Sequence, residues 1–155
     1  MRRGWRICDD PAGELHPFPI ARRVPLRLII ECMAEAREPT LRVTMLPRDT
    51  NARGTIFGGI ILSHIDLAGA VAASRCAARN FVTRFMREVG FIAPVYVGDV
   101  VSFYAHVVRE GRTSVTIQVN VEAERSNDPG RRVAVTEAEV VYVAVDDEGK
   151  AISIR

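Results

Sequence analysis

The sequence is poor in cysteine, and two of its three cysteines, Cys8 and Cys32, lie near the N-terminus. The remaining chain contains only Cys76, and a single cysteine can form neither an internal disulfide nor a CxxC metal site. We therefore expect a reducing compartment, with the cytoplasm as the location. The sequence also lacks any set of His, Cys, Asp and Glu at the spacing of metal ligands, so it predicts no metal site.

A strong excess of charge and a long apolar run are missing as well. Lys and Arg number 21 and Asp and Glu number 19, so the net charge is only +2. So small a surplus does not indicate a nucleic-acid-binding protein. The sequence contains no apolar run long enough to span a membrane, and residues 26–30 lack the apolar core and cleavage site of a signal peptide.

The first 39 residues lack a sustained period of 2 or 3.6, and four of the eight prolines lie within the first 32. We interpret residues 1–39 as an irregular N-terminal extension and residues 40–155 as the single folded domain. Met33 is followed by AEAR and soon afterwards by the first strand-like segment. Met33 is therefore an alternative start for the natural protein.

From residue 40 onward the pattern predicts one strand, one long helix and then four antiparallel strands. The helix covers about Phe57–Arg79, and Asn80 after it is typical of a left-handed cap. The clearest strand alternates apolar and polar residues over 115–122. The absence of alternating strands and helices argues against a doubly wound sheet. The other predicted strands are Thr40–Met45, Val82–Phe91, Val100–Val108 and Val133–Val145.

The predicted helix is rich in small residues, with Gly, Ala or Ser at 11 positions. Small side chains let a sheet curl closely around a helix. We therefore predict an α+β hotdog fold, in which one long central helix is wrapped by a curved antiparallel sheet of about five strands. Such a sheet has an exposed edge, which dimers of this fold pair edge to edge.

Asp66 is unexpected in the middle of this helix, because aspartate competes there for backbone hydrogen bonds. It also lies too far from the N-terminus to gain from the helix dipole. At about 100° per residue, Asp66 shares a small, apolar face with Leu62, Gly69 and Ala73. A partly desolvated carboxylate is suited to proton transfer. The alternative is a solvent-facing aspartate paired with a neighbouring arginine.

The pair Gly58 and Gly59 stands at the predicted start of the helix. Free N–H groups at a helix start form a preorganised donor site. Without side chains, the two glycines would let a ligand carbonyl approach the backbone. The alternative is that the glycines only allow tight packing of the helix on the sheet.

Residues 48–66, RDTNARGTIFGGIILSHID, resemble the signature of the YciA-type acyl-CoA thioester hydrolases, a branch of the hotdog superfamily. The family pattern is D-T-N-x-x-G-x-(I/V)-F-G-G, followed by a helix with an aspartate seven residues after the second glycine. Further matches follow in order, and the resemblance covers about residues 41–150. These matches are FIAPVYVGDVV (91–101), GRTSV (111–115), TEA (136–138) and YVAVD (142–146).

The resemblance implies an enzyme that hydrolyses fatty acyl-CoA to free fatty acid and coenzyme A. It implies that Asp66 is the catalytic general base or nucleophile and that the amides of Gly58 and Gly59 polarise the thioester carbonyl. Asn51 would help to position the reacting groups. No separate cofactor is implied, because coenzyme A is part of the substrate. The implied substrate and coenzyme A contacts are Phe57, Gly111, Arg112, Thr113 and Ser114.

The spacing of the two site elements indicates a shared active site. Gly59 and Asp66 are about 10 Å apart along one helix, whereas a reacting carbonyl must lie about 3 Å from both the donors and the attacking group. We therefore expect a homodimer in which the Gly58–Gly59 end of one protomer meets Asp66 of the other. The resemblance allows a trimer of dimers as the larger assembly.

The sequence bears on two other functions. A hotdog hydratase needs a histidine paired with Asp or Glu, and no histidine lies on the Asp66 face or in residues 49–54. A non-catalytic acyl-CoA-binding or sensor protein is the alternative to the enzyme, although the presence of both Asp66 and Asn51 argues against it. His64 and Cys76 are expected to be structural.

If Met33 is the natural start, the intact mass of the protein from its native source will correspond to residues 33–155. The measurement is mass spectrometry of the purified protein and of its proteolytic peptides. A peptide from residues 1–32 in that material would show the prediction wrong.

Overall fold

A computed structural model of the chain describes residues 37–155, of which Glu38–Arg155 form one unit. Within this range no helix is both long and apolar enough to cross a membrane. The predictions for residues 1–36, including the alternative start at Met33, lie outside the described residues. In chain order the elements are β1 (Leu41–Thr44), α1 (Gly58–Ser74), β2 (Asn80–Phe91), β3 (Val100–Glu110), β4 (Ser114–Glu124) and β5 (Arg132–Val145).

The strands form one five-stranded sheet in the order β1-β3-β4-β5-β2. Every neighbouring pair is antiparallel. The sheet curls around α1, so the predicted hotdog fold is confirmed. Its two edges differ: β1 has 4 residues, whereas β2 has 12.

The core lies between α1 and the concave face of the sheet. In β4 the buried residues alternate strictly with half-buried ones, which confirms the predicted period of two. On α1 the buried face combines two isoleucines with small residues, so the helix backbone approaches the sheet closely. The buried residues of these two elements are Ile61, Ile65, Ala68, Gly69, Ala72 and Ala73 on α1, and Val115, Ile117, Val119, Val121 and Ala123 on β4.

The helix ends earlier than the sequence predicts. Its last residue is Ser74, and Arg75 is the cap with right-handed angles of φ −74° and ψ −18°. Asn80 is the first residue of β2 and pairs with Val145, so the predicted Asn80 cap and the extension to Arg79 are wrong. Because Asn80 already pairs with β5, the chain must leave the helix and reverse its direction before this residue. The alanines in this segment favour a helix. The sequence alone does not show that the chain must turn before Asn80.

A buried ion pair fixes the segment that leads into β3. The Oδ2 atom of Asp99 accepts hydrogen bonds from Nη1 of Arg125 at 2.6 Å and from the backbone N–H of Tyr96 at 3.0 Å. The Oδ1 atom accepts a hydrogen bond from the N–H of Ser126. The same Arg125 nitrogen donates to the carbonyl of Pro94 at 2.9 Å. These bonds tie residues 94–99 to the start of the turn between β4 and β5.

Replacing Asp99 by Ala is expected to lower the free energy of unfolding by about 3–5 kcal/mol, because the Arg125 guanidinium would stay buried without a partner. Urea unfolding of the whole protein measures the change. The matched control is Asp128→Ala, because Asp128 pairs with Arg131 on the surface at 3.8 Å and such pairs contribute about 0–1 kcal/mol. Equal losses in the two variants would contradict the prediction.

Candidate active site

The start of α1 presents two free backbone donors. Phe57 precedes the helix in an extended conformation, and its side chain does not cap it. The N–H of Phe57 bonds to the carbonyl of Asp49, and the N–H of Ile60 bonds to the carbonyl of Phe57. The N–H groups of Gly58 and Gly59 donate no hydrogen bond within residues 37–155. Two adjacent free donors at the positive end of a helix can bind an oxyanion.

Two aromatic rings lie close to the two glycines. A Cβ atom at Gly58 would lie 3.2 Å from the ring of Phe91, and one at Gly59 would overlap the ring of Phe57. Phe57 is 57% exposed, so its ring lies at the surface beside the free amides. The glycines therefore allow both rings to lie close to the donor site.

An apolar cavity of about 410 Å³ adjoins Gly58. It is open to solvent on one side, and the end of β2 and the segment after it form much of its wall. The cavity lies beside the free amides, so a ligand carbonyl bound there could extend an apolar group into it. The main apolar residues of the wall are Ile61, Phe91, Ile92, Val95 and Val135.

Asn51 shapes the loop that leads to the helix start. Its side-chain Nδ2 donates to Oγ1 of Thr55 at 2.8 Å, and its Oδ1 accepts from the N–H of Arg53 at 2.8 Å. Its backbone N–H bonds to the carbonyl of Thr55. Both ends of the Asn51 side chain are thus used inside the loop, which brings Thr55 to the cavity wall.

Asp66 is half-buried beside the packed face of α1, and hydroxyl groups are its partners. Its Oδ1 accepts a hydrogen bond from Oγ1 of Thr83 at 2.5 Å and lies 3.2 Å from the hydroxyl of Tyr142. The Tyr142 hydroxyl also donates to the backbone carbonyl of Asp66 at 2.7 Å. Asp66 forms no ion pair within residues 37–155, so the alternative of an arginine-paired surface aspartate is not observed there. In the same range, Oδ2 receives no hydrogen bond.

Thr83 and Tyr142 were missed by the sequence reasoning. They are directly opposite each other in the ladder between β2 and β5, and both reach α1 from the concave face of the sheet. Each residue fits an ordinary strand pattern, so its hydroxyl carries no signal in the sequence. Burial raises the pKa of Tyr142 far above its usual value, and the charge of Asp66 raises it further. The phenol therefore stays protonated and acts as a donor.

The two predicted halves of the site lie apart in one protomer. Gly58 contacts Phe91 at the end of β2, whereas Asp66 bonds to Thr83 near the beginning of the same strand. Gly59 and Asp66 are separated by about 10 Å of rigid helix. The donors and the carboxylate of one chain therefore do not converge on one reacting atom.

The turn at 111–114, between β3 and β4, lies at the end of the sheet where Thr83 and Tyr142 contact Asp66. Its Gly111 N–H bonds to the carbonyl of Ser114 at 2.7 Å. Val115, at the start of β4, pairs with Tyr142, which in turn pairs with Thr83. The implied coenzyme A contacts from Gly111 to Ser114 therefore lie at the same end of the sheet as Tyr142 and Thr83. Arg112 is exposed there.

Two residues expected to be structural have structural contacts. Nδ1 of His64 lies 2.8 Å from the carbonyl of Ile60, and its ring stacks on Phe103 at 5.6 Å. Cys76 is half-buried, and burial, together with the charge of Glu110, raises the pKa of its thiol. A thiol with a raised pKa is a weak nucleophile at neutral pH.

Comparison with known proteins gives related sequences. Residues 53–130 match the family described as the thioesterase superfamily. The acyl-CoA thioester hydrolase YciA of Escherichia coli (strain K12) is 46% identical over 112 residues. That alignment covers 71% of this chain and 85% of the relative.

The solved structures that resemble this chain include thioesterases as well. A hexameric hotdog fold thioesterase of Campylobacter jejuni has 45% sequence identity and a TM-score of 0.72, and the match covers 77% of this chain and 91% of that one. A hexameric broad specificity acyl-coenzyme A thioesterase, solved as an aspartate-to-alanine mutant, has 38% identity and a TM-score of 0.74. That match covers 77% of this chain and 88% of the other.

Proposed function

Because the chain belongs to the thioesterase superfamily, in its branch of acyl-CoA thioester hydrolases, we propose that it hydrolyses fatty acyl-CoA to free fatty acid and coenzyme A. The observation that carries this proposal is the pair of free amides at Gly58 and Gly59 beside an apolar cavity. The names of the related acyl-CoA thioesterases support the substrate class.

The helix start acts on the thioester carbonyl. Its oxygen accepts hydrogen bonds from the N–H groups of Gly58 and Gly59, and the apolar cavity takes the adjacent apolar part of the substrate. Negative charge develops on this oxygen as the carbonyl carbon is attacked. Fixed donors stabilise that charge without reorganising during the reaction.

Asp66 drives the attack through Oδ2, while the Thr83 hydroxyl holds Oδ1. As a general base, Asp66 takes a proton from water while the water oxygen bonds to the carbonyl carbon. The C–S bond then breaks, and the departing sulfur takes the proton back. As a nucleophile, Asp66 would bond to the carbonyl carbon first, and the C–S bond would break to expel the coenzyme A thiolate. Water would then hydrolyse the resulting anhydride to free fatty acid and the Asp66 carboxylate, and the thiolate would take up the proton that this step releases. Asn51 contributes by shaping the loop that leads to Gly58.

The long edge strand β2 supplies the contact that completes the site. Among residues 37–155 no strand pairs with its outer side, and apolar side chains on β2 and α1 are exposed next to it: Val82, Phe85, Leu67 and Val71. Such an edge is a surface that a second copy can cover. Antiparallel pairing of β2 with its copy places the Phe91 end of one protomer beside the Asn80 end of the other.

That pairing brings the helix start of one protomer towards Asp66 of the partner subunit. Each dimer then has two equivalent sites related by its twofold axis. The hexameric assembly of two related thioesterases supports self-association, and a trimer of dimers is compatible with it.

Coenzyme A enters as part of the substrate, with Phe57 beside the thioester and the turn at 111–114 near the nucleotide end. There Arg112 offers a cation to a phosphate.

Release of free thiol from acetyl-, octanoyl- and palmitoyl-CoA tests the reaction. Asp66→Asn is expected to lower kcat by about 10²- to 10⁴-fold, because it removes the proton acceptor, while acyl-CoA binding is retained. The control is Asp128→Asn at an exposed turn, which is expected to leave kcat unchanged.

Three results would contradict parts of this proposal. Tight binding of acyl-CoA without turnover by the wild type would identify a non-catalytic binding protein. Equal kcat in the wild type and Asp66→Asn would show that Asp66 is wrongly assigned. Equal loss in Asp128→Asn would show that the effect is not specific to the site.

If the active site is shared between protomers, two inactive variants should regain activity when they are combined in one dimer. Gly58→Pro removes one donor but suits the first position of a helix, and the loss of one oxyanion donor costs about 10²- to 10³-fold in kcat. Gly58→Ala is the control, since it keeps the N–H and adds the same Cβ beside Phe91. Differently tagged Gly58→Pro and Asp66→Asn chains are co-expressed, and the mixed dimers are purified through both tags.

One site of each mixed dimer would then combine an intact helix start with an intact Asp66. We expect about half of the wild-type activity per dimer, because the other site carries both defects. If each protomer held a complete site of its own, every site would carry one defect. Mixed dimers no more active than the parent variants would therefore contradict the shared site.

A further inference from the structure

The hydroxyl of Tyr142 contacts both the backbone and the side chain of Asp66. It lies 2.7 Å from the backbone carbonyl oxygen and 3.2 Å from Oδ1. A phenol has one proton, which these two oxygens of the same residue share. Such a contact fixes the carboxylate relative to its own main chain.

We infer that Tyr142 is a positioning residue of the proposed hydrolysis: its hydroxyl holds Oδ1 of Asp66 inward, so that Oδ2 faces the reacting carbonyl. This inference rests on the proposed function. Tyr142 does not touch the substrate, because its side chain is completely buried beneath α1. It acts only through Asp66.

Gly69 gives independent support for this role. It is buried on α1 one turn after Asp66, and a Cβ atom there would overlap the hydroxyl of Tyr142. A side chain at this position would require the hydroxyl or the helix to move, and either shift would change the contact with Asp66. The helix therefore has a gap at the place where the phenol must pass to reach the carboxylate.

The sheet register explains why two hydroxyls meet one oxygen. Thr83 and Tyr142 are direct cross-strand partners, so their side chains leave the same face of the sheet side by side. Thr83 approaches Oδ1 from the exposed edge strand, and Tyr142 approaches it from the core. Together they saturate Oδ1, whereas Oδ2 receives no donor from residues 37–155.

Steady-state kinetics of Tyr142→Phe test the inference. This variant keeps the buried ring and loses only the hydroxyl. We expect kcat to fall by about 10- to 100-fold, because small misplacements of a catalytic group have effects of this size. KM should stay within about twofold. The control is Tyr96→Phe, which removes an exposed phenol hydroxyl and keeps the ring that stacks on Arg125.

A double-mutant cycle separates positioning from a general loss of structure. In the Asp66→Asn background, Tyr142→Phe should cause no further fall in kcat, because the group it positions is already disabled. An equal proportional fall in both backgrounds would overturn the inference. Wild-type kcat in Tyr142→Phe would overturn it as well.

A second variant covers the case in which Tyr142→Phe does not fold. Gly69→Ala keeps the hydroxyl but displaces it, so kcat should fall while KM is retained. Wild-type kcat in Gly69→Ala would overturn the inference. If the wild type itself released no thiol, the proposed function would fail and the inference with it. An active wild type with an unaffected Tyr142→Phe would overturn the inference alone.

Discussion

The close contact between α1 and the curled sheet is the constraint on which the rest of the structure depends. Small buried residues on α1, among them Ala68, Gly69 and Ala72, let the helix backbone approach the strands. At that short distance the hydroxyls of Thr83 and Tyr142 reach across to Asp66. A bulkier helix would stand farther from the sheet, and its mid-helix carboxylate would lose both partners.

The same helix divides the chemistry into two halves. Its first turn offers free amides, because the first N–H groups of a helix have no partner inside it. The carboxylate follows about two turns later, and a helix is too rigid to bring the two together. The dimer proposed above would resolve both the division and the unpaired edge of β2, because a second copy would cover the edge and supply the missing half of the site. In this view the assembly is part of the catalytic geometry.

The surroundings of Gly58 depend on segments that are far apart in sequence. The loop shaped by Asn51 delivers Thr55 and the helix start, and the segment tied down by Asp99 and Arg125 supplies the opposite wall of the cavity. The buried ion pair thus supports the site from a distance. Three hydrogen bonds, donated by Arg125, Tyr96 and Ser126, compensate the Asp99 carboxylate for its burial.

The amino-acid sequence by itself determined the element order, the strand alternation in β4, the family and the residues proposed for the chemistry. These features are local, because periodicity, turn residues and a contiguous motif act over short stretches of chain. The end of the helix was mispredicted at Arg79, because pairing of Asn80 with Val145 outweighs the helix preference of the alanines before it. Thr83 and Tyr142 emerged only from the tertiary structure. Their hydroxyls meet Asp66 through sheet register and the gap at Gly69, and such long-range contacts leave no local pattern.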